Sequence, residues 1–220
     1  MTPYYEHAGI MIYHGTALTV LDLWEGLRAQ SFDLLLTDPP YGIDAVKRGT
    51  IGTSKKGIVK DYGASKWDER TADEAICMAR RFCRWHIVFG GNYYDLPPSR
   101  CWLVWDKDNT ADFADCELAW TNLPKAVRRI TYRWNGMLQE PGVPKEERWH
   151  PTQKPEAVMR WALLHAPDSR TVLDPFMGSG SSLVAAKRLG RQCVGIEREE
   201  KYCEIAARRL QQEALPLDVA

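Results

Sequence analysis

Arg170-Thr171-Val172-Leu173-Asp174-Pro175-Phe176-Met177-Gly178-Ser179-Gly180-Ser181 is the stretch that decides the fold. A short apolar run ends in an acid, a proline and two glycines, and a helical pattern begins near Ser181. A buried strand that breaks into a glycine-bearing turn and resumes as a helix is how α/β proteins hold nucleotide-like cofactors. Asp174 stands where a carboxylate can meet a cationic ligand group, and Gly178 and Gly180 permit close backbone approach. The run is not Gly-x-Gly-x-x-Gly, which argues against a nicotinamide enzyme, and it lacks the Lys of a phosphate-binding loop.

Two flanking strands extend the reading. Downstream, in CVGIERE, Glu197 lies 23 residues after Asp174, where such folds place an acid that accepts hydrogen bonds from ribose hydroxyls. Upstream by 136 residues, the apolar run FDLLLT leads into Asp38-Pro39-Pro40-Tyr41. Further strand candidates are 10–13, 85–89, 100–105 and 117–120, with 32–37, 170–173 and 192–196 completing seven. Helical patterns cover 17–30, 72–84, 156–165, 181–189 and 199–213, and strands alternating with helices imply a sheet covered by helices.

At 220 residues, with 45% apolar and 26% charged residues, the chain suits a single domain over 1–220. Its apolar runs are too short to span a bilayer and no signal-type segment opens it, so a cytoplasmic protein is expected. The six cysteines show no Cys-x-x-Cys pair; reduced, buried thiols are expected, with no structural metal and no disulfide framework. Lys+Arg and Asp+Glu balance at 29 each, so any surface for a polyanion must be local. Between Asp44 and Lys66 six basic residues face two acidic ones, within an irregular segment of about 42–66. A second irregular segment, about 121–149, also carries several Arg and Lys.

Asp38-Pro39-Pro40-Tyr41 and Asp174 to Gly180 together resemble the catalytic and cofactor motifs of the beta-class adenine-N6/cytosine-N4 DNA methyltransferases. That class places the catalytic motif first, as here. The resemblance covers nearly the whole chain and implies a Rossmann-like, circularly permuted S-adenosylmethionine-dependent fold: a mostly parallel seven-stranded sheet with helices on both faces. S-adenosylmethionine carries no phosphate, so the missing phosphate-loop Lys is no obstacle. By the same resemblance Asp174, Phe176, Gly178, Ser179, Gly180, Ser181 and Glu197 form the cofactor site. Trp149-His150-Pro151-Thr152-Gln153-Lys154-Pro155 resembles the motif preceding the family's glycine loop, which gives Thr152 and Lys154 to the methionine end of the cofactor, their hydroxyl and ammonium suited to its carboxylate or to orienting neighbouring acids. Thr16 stands where many relatives have an acid that contacts the cofactor's adenine.

An exocyclic amine is a poor nucleophile because its lone pair is delocalised into the ring, so the enzyme must activate nitrogen. Asp38 and the Pro39 carbonyl, held by the successive rings of Pro39 and Pro40, can each accept one N–H, while Tyr41 stacks on a base flipped out of the duplex. Asp rather than Ser at position 38 resembles the adenine-N6 members; cytosine N4 is the enzymatic alternative, and an inactive DNA- or cofactor-binding protein the non-enzymatic one. Lys47, Arg48, Lys55 and Lys56 are placed to bind phosphate, and Arg128, Arg129 and Arg133 phosphate or guanine. Gly90-Gly91-Asn92 is a sheet-edge loop suited to line the base pocket, whereas Asp106 and Lys107 end a core strand and are given no catalytic role. A bacterial or phage restriction-modification enzyme, with DNA as partner and a homodimer as a compatible assembly, is the implied setting.

Overall fold

The computed structural model describes residues 1–24, 31–41, 72–108, 114–135, 138–150 and 152–212. Among these, eleven strands and five α-helices alternate: β1 (Tyr5–His7), β2 (Ile10–His14), α1 (Ala17–Asp22), β3 (Phe32–Thr37), α2 (Asp73–Arg81), β4 (Cys83–Phe89), β5 (Trp102–Asp106), β6 (Cys116–Thr121), β7 (Arg128–Thr131), β8 (Trp134–Asn135), β9 (Leu138–Gln139), α3 (Glu156–Leu164), β10 (Thr171–Asp174), α4 (Ser181–Arg188), β11 (Gln192–Glu197) and α5 (Glu200–Gln211).

Nine strands form one sheet in the order β1-β2-β11-β10-β3-β4-β6-β5-β7, and β8 pairs only with β9. The central run from β2 to β4 is parallel; β1 joins antiparallel at one edge and β6 runs antiparallel between β4 and β5. The expected mostly parallel α/β sheet is present, with nine strands in place of seven. The additions are the edge strands β1 and β7. β7 reads Arg-Arg-Ile-Thr and is largely exposed, so it has no apolar run to announce it; pairing with β5 makes it a strand.

Alternation explains both layers. Leu34 and Leu36 of β3 enter a core with Val158, Met159 and Leu163 of α3, Leu183 of α4 and Ala206 and Leu210 of α5. Leu35, between them, enters the opposite core with Val20 and Leu21 of α1 and Ile76 and Ala79 of α2. Leu34, Leu35, Val172 and Leu173 are all fully buried, which is why FDLLLT and RTVL read as unbroken apolar runs. Each such side chain contributes about 1.5–3 kcal/mol relative to leaving it exposed.

The helix ends follow their sequences, with some shortening. Thr16 caps α1, its Oγ1 accepting from the Thr19 N–H at 3.2 Å, and α2 carries Asp73 and Glu74 in its first turn and Arg80 and Arg81 in its last. The helix expected over 72–84 stops at Arg81 because Cys83 already belongs to β4. Residues 25–30 and 213 of the expected helices lie outside the described residues. All six cysteines are free; four are buried, but Cys77 and Cys116 are exposed, contrary to expectation, because they sit on the outer side of α2 and at the open end of β6. Among the described residues no helix is long and apolar enough to cross a membrane.

Candidate active site

Because β2, β11, β10, β3 and β4 run parallel, their carboxyl ends meet along one rim, where α/β sheets bind ligands. That rim carries Thr16, Glu197, Asp174, Asp38 and Gly90 at successive strand ends. β10 pairs directly with β3, Val172 opposite Leu34 and Leu173 opposite Leu35, so runs 136 residues apart in sequence become neighbours. β6, antiparallel to β4, brings its amino end and Glu117 to the same rim, and β5 brings Asp106 and Lys107.

Around the glycine turn the protein supplies most of the partners itself. The Asp174 carboxylate accepts from Thr37 Oγ1 at 2.8 Å, Phe176 N–H at 3.1 Å and Ser182 Oγ. It thereby ties β3 to the turn and to α4, although burial still pushes its carboxyl up to about 6. Three internal donors thus surround the carboxylate where a cationic ligand group was expected to meet it. Gly180, at φ 81°, is required by packing: a Cβ there would lie 2.9 Å from that of Ala206 on α5. Ser179 donates its hydroxyl to Gln153, and Arg209 donates to the Ser179 carbonyl at 2.6 Å and reaches the Ser181 hydroxyl at 3.5 Å. Phe176 is half-buried against the α1/α2 core.

Glu197 lies over this turn, accepting from Gly178 N–H at 3.0 Å on one oxygen and from Glu199 N–H at 2.8 Å on the other. Each oxygen keeps a second lone pair. Burial raises its carboxyl and those two backbone donors pull it back. Among the described residues a side chain at Gly178 would meet only the His150 ring, 3.8 Å away, and the first turn of α4 has no side-chain cap. An acceptor acid beside open glycine backbone therefore fits a ribose-bearing, phosphate-free cofactor. Two expected contacts are engaged elsewhere: Thr16 caps α1, and the Thr152 hydroxyl pairs with His150 Nδ1 at 3.1 Å.

Lys154 lies among acids, one of the two settings its motif allows. Its side chain, 6% exposed, brings the ammonium to Asp38 Oδ2 at 2.5 Å and Glu117 Oε2 at 3.0 Å. Lys107 contacts the other Glu117 oxygen at 2.5 Å, and Tyr41 donates its hydroxyl to Asp38 Oδ1 at 2.6 Å. Burial works against charge on Lys154, but Asp38 and Glu117 outweigh it and hold the ammonium protonated. Burial likewise opposes the Glu117 carboxylate, yet Lys154 and Lys107 hold its carboxyl down at about 2. Burial raises the Asp38 carboxyl; Lys154 lowers it, Glu117 raises it further and the Tyr41 hydroxyl lowers it.

The proline turn is fixed from the β4 side. Tyr94 donates to the Pro39 and Pro40 carbonyls at 3.0 and 3.1 Å. Tyr93 stacks on Tyr41 with centroids 4.9 Å apart, so one face of the ring expected to hold a base already carries another ring. Sequence reading missed Glu117, Tyr94 and the role of Lys107. The strands that carry or precede them show only core patterning, and it takes the antiparallel placement of β6 to bring Glu117 to the rim.

Of the basic candidates, Lys47, Arg48, Lys55 and Lys56 lie outside the described residues. Arg128 and Arg129 are exposed on edge strand β7 and Arg133 follows it; Arg129 lies 3.7 Å from Asp106, and Arg133 pairs with Asp108.

A mostly parallel α/β sheet with an acid-proline turn and a glycine turn on neighbouring strand ends defines the class: a cofactor-binding α/β protein whose ligand crevice lies at the carboxyl rim. Comparison with known proteins is more specific. A model of the N6/N4 methyltransferase family, described as DNA methylase, matches residues 95–208, more than half of the chain, and the protein belongs to that family. The matched span includes Glu117, Lys154, Asp174 and Glu197 and begins after the Asp38 turn. Type II methyltransferase M2.LlaDCHI of Lactococcus lactis subsp. cremoris is 28% identical, the alignment covering 94% of this chain and 91% of that protein. Type II methyltransferase M2.DpnII of Streptococcus pneumoniae is 27% identical over 96% and 93%. The crystal structure of the M1.HpyAVI-SAM complex superposes with a TM-score of 0.59 at 23% identity, covering 91% of this chain and 99% of that one. The cytosine-N4-specific PvuII DNA methyltransferase also gives 0.59, at 15% identity over 97% and 90%, so both share the fold.

Proposed function

We propose that this DNA methylase transfers a methyl group from S-adenosylmethionine to N6 of an adenine turned out of the duplex, at specific sites in DNA. The observation that carries the reading is the pairing of β3 with β10, which sets the Asp38 turn beside the glycine turn on one rim. The names of the Lactococcus and Streptococcus relatives and the cofactor in the M1.HpyAVI complex support it.

Bound S-adenosylmethionine supplies an activated methyl whose sulfur–carbon bond breaks as a nitrogen–carbon bond forms. In this reading Glu197 accepts the ribose hydroxyls on its remaining lone pairs. Each Asp38 oxygen already accepts one hydrogen bond and has capacity for an amine N–H. The Pro39 carbonyl takes the second N–H on the lone pair that Tyr94 leaves open. Two fixed acceptors draw the nitrogen towards tetrahedral geometry and stabilise the charge that develops as it is methylated. The surplus proton then leaves to Asp38 or to water. Tyr41 holds the face of the base, which enters by replacing exposed Tyr93 in the stack.

Asp rather than Ser at position 38 favours adenine over cytosine. Incubation with methyl-labelled S-adenosylmethionine and unmethylated genomic DNA, followed by nucleoside analysis, tests both reaction and base. N6-methyladenine is the expected product, and Asp38→Ala is expected to reduce it at least about 100-fold. N4-methylcytosine would correct the base; folded protein that labels no DNA would refute the reading.

A further inference from the structure

We propose that Glu117, anchored by Lys107, is a positioning residue for methyl transfer: it holds Lys154 against Asp38 and so fixes the carboxylate that receives the target amine. The inference rests on that assignment of Asp38.

Four charges of alternating sign stand in a row: Asp38, Lys154, Glu117 and Lys107, with contacts of 2.5, 3.0 and 2.5 Å between successive members. Lys154 comes from the irregular segment before α3, on a flexible four-carbon stem, and one ion pair alone would leave its ammonium free to rotate about Asp38. Glu117 supplies a second acceptor from a strand of the sheet, and Lys107, from the neighbouring strand end, keeps the Glu117 carboxylate from turning away. The row therefore connects a mobile side chain to two rigid elements. Asp38 gains a fixed orientation on one oxygen from Lys154 and on the other from the Tyr41 hydroxyl. Small misplacement of an acceptor is costly to transfer, so a residue that never touches the amine can still govern the rate.

The titratable groups packed around Asp38 are Tyr41 on its own turn, Lys154 before α3, Glu117 on β6, Lys107 after β5, Tyr93 and Tyr94 after β4, and Asp174 on β10. Replacing Glu117 by Gln removes a negative charge that favours the protonated forms of Asp38 and Lys154 alike. Both ionisations should then move to lower pH. Lys107→Met removes a positive charge and should move them the other way by less.

The test compares wild type, Glu117→Gln and Lys107→Met in single-turnover methyl transfer across pH, with saturating S-adenosylmethionine and DNA. Carboxyl carbon NMR of the cofactor-free proteins follows the Asp38 titration, assigned with Asp38→Asn. Expected for Glu117→Gln is a loss of about 10- to 100-fold in rate. The KM for DNA and for S-adenosylmethionine should stay within about threefold, with both limbs of the pH profile and the Asp38 midpoint shifted down. Lys107→Met should lose less and shift up. An unchanged rate and midpoint would overturn the proposal. So would a rate loss that merely follows a lower Tm with the midpoint unmoved. Absence of DNA methylation by wild type would instead refute the methyl-transfer reading itself, and this role with it.

Discussion

At Gly90 an added methyl group would collide with the ring that closes the proline turn. Its backbone has φ 65°, and a Cβ would lie 2.1 Å from Tyr41 Cε1. Gly90→Ala should push Tyr41 off Asp38, lowering stability by about 1–3 kcal/mol in urea titrations and slowing single-turnover transfer. Retention of both would show that the ring has room that the structure denies it. Asp38-Pro39-Pro40-Tyr41 is legible in the sequence as a turn behind a strand because the four residues are contiguous and follow an apolar run. Lys154 is readable only through the motif it belongs to, which offers its ammonium either to the cofactor's carboxylate or to neighbouring acids; it takes the folded chain to bring Asp38 and Glu117 to it. Glu117 gave no signal, since an acid at the start of Cys-Glu-Leu-Ala-Trp-Thr looks like any solvated strand end.

Asp33 shows what fastens the central strands to each other. Its Oδ2 accepts from Arg170 N–H, Thr171 N–H and Thr171 Oγ1 at 2.8, 2.9 and 3.0 Å, joining the start of β3 to the start of β10. Burial opposes ionisation, but these hydrogen bonds outweigh it and lower the carboxyl below its ordinary value. A lowered folded-state pKa means the charged form stabilises the fold above the unfolded value near 4. That contribution disappears as pH falls through the folded value. Asp33→Asn should therefore lower Tm at neutral pH, by the equivalent of about 1 kcal/mol or less for so accessible a group, with the gap closing in acid. A gap independent of pH would contradict the charge argument. At this scale the sequence was informative wherever burial is two-sided: β3, β10 and β11 appear as apolar runs, with observed ends within a residue of those expected. β1 and β7 stayed hidden because a short or charged edge strand owes its form to the partner beside it.

For the whole molecule the informative quantity is net charge, zero by formal count. The strand alternation was enough to read an α/β sheet, but the sheet order that unites β3, β6 and β10 depends on long-range pairing. No short window of sequence contains that information. Charge has the same two scales. The row from Asp38 to Lys107 cancels within itself, two acids against two bases. With exposed Arg128 and Arg129 as the proposed phosphate contacts, rising ionic strength should weaken DNA binding, while the transfer rate at saturating DNA changes little. A transfer rate that fell in parallel with affinity would mean that the row is open to salt. A rim so polarised within a few ångströms is electrically quiet at a distance: in the proposed role it judges a nucleobase that has arrived, but it takes no part in summoning one.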